Sequence, residues 1–199
     1  MRRMAAKFIL GAALLALGMG VVTASDSNAG MADVRDGVQA IADALAKGDT
    51  EGAKKLAAEQ AKNTSVEDAM HLFGLRKAGK SKGYGVGDEP GKILPDGIEA
   101  KVMAFSKKAP TKAVVSKDAD AYVKMAYRAA AVAEIALNKA PEKDMGDKKV
   151  KDWNTWATNM RDGSLELAEA LKAKDPAKVK TAAYKAYSSC SSCHGVFRD

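Results

Sequence analysis

From about residue 30 onward, apolar side chains recur at intervals of three and four, and no segment shows the sustained period-two alternation of a half-buried strand. Val34, Val38, Ile41 and Leu45 form one stripe over residues 31–47, and Gly48-Asp49 marks its end. A second helical stretch covers residues 51–62, so the two predict a short helical hairpin. Thr64-Ser65-Val66-Glu67 fits a capping box with Thr64 as the N-cap, opening a helix to about residue 77 whose stripe is Val66, Ala69, Met70 and Phe73. Five glycines and Pro90 crowd residues 79–91, too many breakers for regular structure, and predict a glycine-rich loop over 79–95. Further helices are expected over 96–107, 118–139 and 149–173. The second of these carries Tyr122, Met125, Ala126, Ala129, Val132, Ala133 and Ala136, small enough on average to admit a close neighbour or a flat ring. Trp153, Trp156, Met160, Leu167 and Leu171 lie along one side of the third. Asp175-Pro176 supplies an N-cap followed by proline at the first helical position, so a last helix begins at Pro176. Long helices with short connections predict an all-α antiparallel bundle, here a four-helix bundle with extra N-terminal helices and the glycine-rich loop.

The inward stripe of that last helix, Val179, Ala182, Ala183 and Ala186, runs into Cys190-Ser191-Ser192-Cys193-His194. Cys-x-x-Cys-His is the attachment signature of covalent c-type haem. Two thiols three residues apart share a helix face and are placed to add to the two vinyl groups of one porphyrin, while His194 turns its imidazole to the iron. Zinc would need ligands beyond Cys190 and Cys193, and His71 is the only other histidine. A redox dithiol would sit at the start of a helix, where the dipole lowers the thiol pKa, and this motif sits at the end of one. A disulfide here closes almost no loop and so adds little by chain entropy.

Other motifs lack their context. Gly74-Leu75-Arg76-Lys77-Ala78-Gly79-Lys80-Ser81 spells a phosphate-binding loop, but that chemistry needs a strand before it and a helix after it, and the segment follows a helix. Gly83, Gly85 and Gly87 do not have the spacing of a dinucleotide fingerprint. Asn63-Thr64-Ser65 spells a glycosylation sequon at a position already occupied by a helix cap.

Composition changes the picture chiefly at the N-terminus. Arg2, Arg3 and Lys7 precede an apolar run over residues 8–22, followed by Val22-Thr23-Ala24 and Ser27-Asn28-Ala29, which together read as a secretory signal over residues 1–29 cleaved after Ala24 or Ala29. The run is about 15 residues long and broken by glycine, short of the roughly 20 that span a bilayer. The remainder, residues 30–199, is long enough for one domain with a substantial core. An exported, periplasmic protein without a membrane span is expected. Its net charge after removal of the signal is about +5, which suits an acidic redox partner, although opposite charges are interspersed along most of the chain. With no concentrated basic stripe, nucleic acid is not an expected partner.

Residues 118–199, through Trp153 to Leu171, Asp175 and above all the Cys190–Arg198 run, resemble the class II cytochromes c, the cytochrome c prime-like family. The resemblance implies a four-helix bundle whose last helix carries one covalent haem c, with Cys190 and Cys193 in thioethers and His194 as the proximal iron ligand. It implies, too, an arginine close to that histidine, matching Arg198, and a tendency to form homodimers. From the residues themselves, Arg198 either pairs with a haem propionate and raises the potential or caps the helix. Phe197, four residues beyond Cys193, is expected near the haem edge or in the core beside it.

The distal side does not carry over from the resemblance. His71 and Met70 are candidate sixth ligands, with Met125 a third, and adjacent helical residues point about 100° apart, so one of Met70 and His71 at most reaches iron. A filled sixth position implies a one-electron carrier. An open one implies a protein that binds NO or CO. No distal acid and base pair is visible, so a haem enzyme is not expected.

Overall fold

The computed structural model describes residues 24–76 and 83–198. The expected signal, 1–29, lies outside these residues except for 24–29, which open the first helix. Among the described residues eight helices follow in order: α1 (Ala24–Ala46), α2 (Thr50–Asn63), α3 (Val66–His71), α4 (Ile98–Lys107), α5 (Lys112–Lys117), α6 (Ala119–Leu137), α7 (Val150–Lys172) and α8 (Pro176–Phe197). Among the described residues there is no strand, only an isolated bridge between Met145 and Lys148. The chain is all-α, as its periodicity predicts.

Helix α6 lies at the centre. Ala126, Ala129, Ala130, Ala131, Val132, Ala133 and Ile135 are all buried, so small side chains let α1, α2 and α7 close on it from different sides. Helix α7 packs on α6 and on α8, and α8 packs in turn on α4, which touches α6 only lightly. Gly163 marks the closest approach of α7 to α8: a Cβ there would sit 2.7 Å from the Ala186 backbone nitrogen. Glu134 of α6 is buried and faces Arg161 of α7 at 3.6 Å, and burial, partly offset by that arginine, raises its carboxyl above the ordinary range.

Three expectations shift. The cap of α3 is Ser65, whose hydroxyl accepts from the Asp68 N–H at 3.0 Å, whereas Thr64 closes α2 and accepts from the Gln60 amide at 2.7 Å. Helix α3 stops at His71 and does not run to 77, because the Leu72 and Phe73 carbonyls leave the helix to accept from the N–H groups of Tyr84 and Glu99. Helix α5, capped by Thr111 and anchored by buried Val115, was not anticipated.

The described part of the glycine-rich segment, 83–95, is built around one ion pair. Arg76 Nε lies 3.0 Å from Asp96 Oδ2, and its Nη2 donates to the carbonyls of Gly87 and Glu89. Asp96 in turn accepts from the N–H groups of Val86 and Gly91, both at 2.8 Å. Gly85 and Gly91 turn the chain at positive φ, 70° and 76°, where other residues are strained. Tyr84 anchors the segment to the helices: the guanidinium carbons of Arg35 and Arg128 lie 4.9 and 4.3 Å from its ring centroid, and its hydroxyl donates to the Arg35 carbonyl. Burial pushes the Tyr84 phenol up to about 12.

Candidate functional site

Helix α8 presents the motif. Its start is fixed by the Asp175 carboxylate, which accepts from the N–H groups of Ala177 and Lys178 at 3.1 Å each, and by Pro176 in the first turn. Val179, Ala182, Ala183 and Ala186 bury the inner face, which hands on to Ser189 and then to half-buried Cys190, Cys193 and His194. The far end is held by aromatic packing against α7. The Phe197 ring meets Trp153 edge-on at 5.0 Å and Trp156 at 6.1 Å, and Trp153 Nε1 donates to the Ala136 carbonyl of α6 at 2.8 Å. Three helices thus fix the turn that bears His194.

Both thiols are free. Burial, reinforced by the Glu99 carboxylate, pushes the Cys190 thiol up to about 12, and burial alone pushes Cys193 up to about 11. Thiols this reluctant to ionise make poor redox nucleophiles. Among the described residues no group of three His, Cys, Asp or Glu is arranged to hold a metal ion.

Beside Cys190 lies a small recess, a cleft of about 20 Å³ with room for about one water molecule, well short of the usual size of a ligand site. Ala186 and Tyr187 of α8, Met160 and Ser164 of α7, and Val102 of α4 form most of its wall. Ala129 of α6, Phe73 and Glu99 close the remainder. The donor chemistry suits a haem: two thiols on one helix face, an imidazole in the next position, and an apolar recess alongside them. A broader, open depression along α7 past Asn154, Thr158 and Asn159 holds none of these groups.

The distal candidates are scattered. His71 is 47% exposed in its side chain, with Nε2 3.8 Å from Glu67 Oε1, and Met70 is half-buried against the core. Met125 is fully buried within α6. None of the three lines the cleft, and from that stretch of chain it is Phe73 that reaches it. Arg198 follows the end of α8 as its C-cap, its N–H donating to the His194 carbonyl at 3.3 Å, with the residue exposed. Glu99 was absent from the sequence reading, since nothing in its neighbourhood links the first turn of α4 to a cysteine 91 positions later. Val102 has the same history. Met160 was legible only as an inward residue of α7.

Two thiols and an imidazole at the end of the last helix of an all-helical chain are the donor set that attachment of a haem needs. Residues 147–198, which comprise α7, α8 and the turns before and between them, match the family model described as Cytochrome C'. Over that segment the chain is similar to the cytochromes c′. Searches of curated proteins and of solved structures gave no match to the chain.

Proposed function

We propose that the protein is an exported c-type cytochrome carrying one covalent haem and passing single electrons. The observation that carries this reading is the position of Cys190, Cys193 and His194 on the half-buried end of α8, with Cys190 at the wall of a small apolar recess, within the segment that matches the cytochrome c′ family. The two cysteines would hold the porphyrin edge and His194 the iron, and α4, α6, α7 and α8 would serve as the four helices of the bundle. Bound haem supplies a one-electron ferric–ferrous couple. The chain's own contribution is to keep water from one side with Phe73, Val102, Ala129 and Met160, while the half-buried thiols leave the attachment edge close to solvent and to a docking partner. Rigid packing of α8 through Phe197, Trp153 and Gly163 limits rearrangement between oxidation states. Export rests on the N-terminal signal pattern, and among the described residues no helix is long and apolar enough to cross a membrane. A net charge of about +5 once the signal is removed favours an acidic redox partner.

A second reading, binding of a neutral gas, is favoured by one observation: the cleft wall holds no imidazole, and His71 faces Glu67 at the surface. The visible spectrum of the haem-loaded protein, ferric and ferrous, with and without carbon monoxide, separates the two. A low-spin spectrum unmoved by carbon monoxide supports electron carriage; a high-spin spectrum that shifts on its addition supports gas binding. In either case His71→Ala is expected to leave the spectrum unchanged. Conversion of a low-spin spectrum to high-spin by that substitution would restore His71 as a ligand.

A further inference from the structure

Glu99 is the one side chain lining the cleft that is charged at neutral pH. Its place is fixed by backbone. The Glu99 N–H donates to the Phe73 carbonyl at 3.2 Å, and the Arg76 N–H donates to the Asp96 carbonyl at 2.7 Å, clamping the start of α4 to the turn after α3. Gly97 lies so close beneath that turn that a Cβ there would sit 3.0 Å from the Gly74 carbonyl oxygen. The nearby cations are otherwise engaged: Arg76 pairs with Asp96, and the Lys101 ammonium donates to the Leu94 carbonyl. Glu99 forms no ion pair among the described residues; it is exposed to solvent and borders the recess from α4.

Resting on the haem reading above, we infer that Glu99 is an electrostatic positioning residue of the haem site, whose fixed negative charge across the cleft from Cys190 holds the reduction potential down. A carboxylate beside the cofactor stabilises the ferric form, which carries one more positive charge than the ferrous form, and so opposes reduction. Glu99 is itself exposed, so water screens much of its charge, and what remains acts through the apolar wall that faces it across the recess. The rise in the Cys190 thiol pKa that Glu99 helps to produce reports the same field in the haem-free chain.

The test has two readouts. Equilibrium redox titration of the haem-loaded protein is expected to show an upward shift in potential for Glu99→Gln, a value near the original for Glu99→Asp, which keeps the charge, and no change for the control Glu51→Gln on α2. An unshifted potential in Glu99→Gln overturns the assignment. So does an equal shift in Glu99→Asp, since that would mark a packing effect. In the unloaded protein, iodoacetamide at a fixed alkaline pH is expected to alkylate Cys190 faster in Glu99→Gln than in the original chain, with Cys193 unchanged as the internal reference; equal Cys190 rates overturn it. If the original chain takes up no haem, the haem reading fails by itself, and the thiol rates still decide whether Glu99 acts on this cleft.

Discussion

Gly163 shows how much rests on single positions near the site. It has no special backbone requirement, and its value is the missing Cβ, which would press on the backbone of α8 at Ala186, one turn before Cys190. Because the obstacle is backbone and not the end of a flexible side chain, α7 and α8 would have to move apart. Gly163→Ala is therefore expected to destabilise the protein by roughly 1–3 kcal/mol, measured by denaturant unfolding. At this scale the sequence was legible where chemistry is local. The spacing of Cys190, Cys193 and His194 announced the site, and Asp175-Pro176 announced the helix that bears it. The cleft's remaining residues come from four other parts of the chain, and no periodicity reveals that Phe73, Glu99 and Val102 converge on Cys190. His71 drew attention as a scarce ligand type, but scarcity does not decide which way a helix turns it, and α3 turns it toward solvent beside Glu67.

At the scale of elements, the boundaries of α2, α4, α6 and α7 followed from capping and stripes to within about two residues, because burial of a broad apolar face is encoded locally, whereas α1 starts at Ala24, well before the stripe that begins near residue 31. The described glycine-rich residues, 83–95, are loop as expected, yet their order comes from Arg76 and Asp96, charges 20 positions apart whose pairing no local signal predicts. Asp96 is nearly inaccessible, and burial alone would raise its pKa; the hydrogen bonds from Arg76, Gly91 and Val86 outweigh that and hold the carboxyl below the usual range. A depressed pKa in the folded state means that the carboxylate contributes stability above its unfolded value of about 3.9, and that this contribution is lost as pH falls through the folded value. Acid should therefore loosen residues 83–97 and, through Glu99, the α4 wall of the cleft. Asp96→Ala leaves the Arg76 charge unpaired and is expected to cost about 3 kcal/mol, with faster amide hydrogen exchange at Val86 and Gly91 and a weaker acid dependence than the original. Unchanged exchange at those two amides would mean that the loop is held by other contacts.

For the molecule as a whole, the arrangement divides in two. Residues 147–198 carry the Cys-x-x-Cys-His motif and match a known family, whereas Phe73 after α3, Glu99 and Val102 of α4, and Ala129 of α6 supply the far wall of the recess and lie outside that match. The all-α class was legible because every long segment has one helical stripe, but which helices face one another depends on small residues such as Ala126, Ala129, Ala130 and Gly163 setting the distances of approach. The central claim is that Cys190 and Cys193 attach one haem covalently. The direct measurement is the intact mass of the chain, expressed with a c-type maturation apparatus and freed of non-covalent haem by acidified solvent. The account predicts a polypeptide heavier by one haem, with the increase abolished when both cysteines are replaced by alanine; a mass equal to that of the bare polypeptide would contradict it.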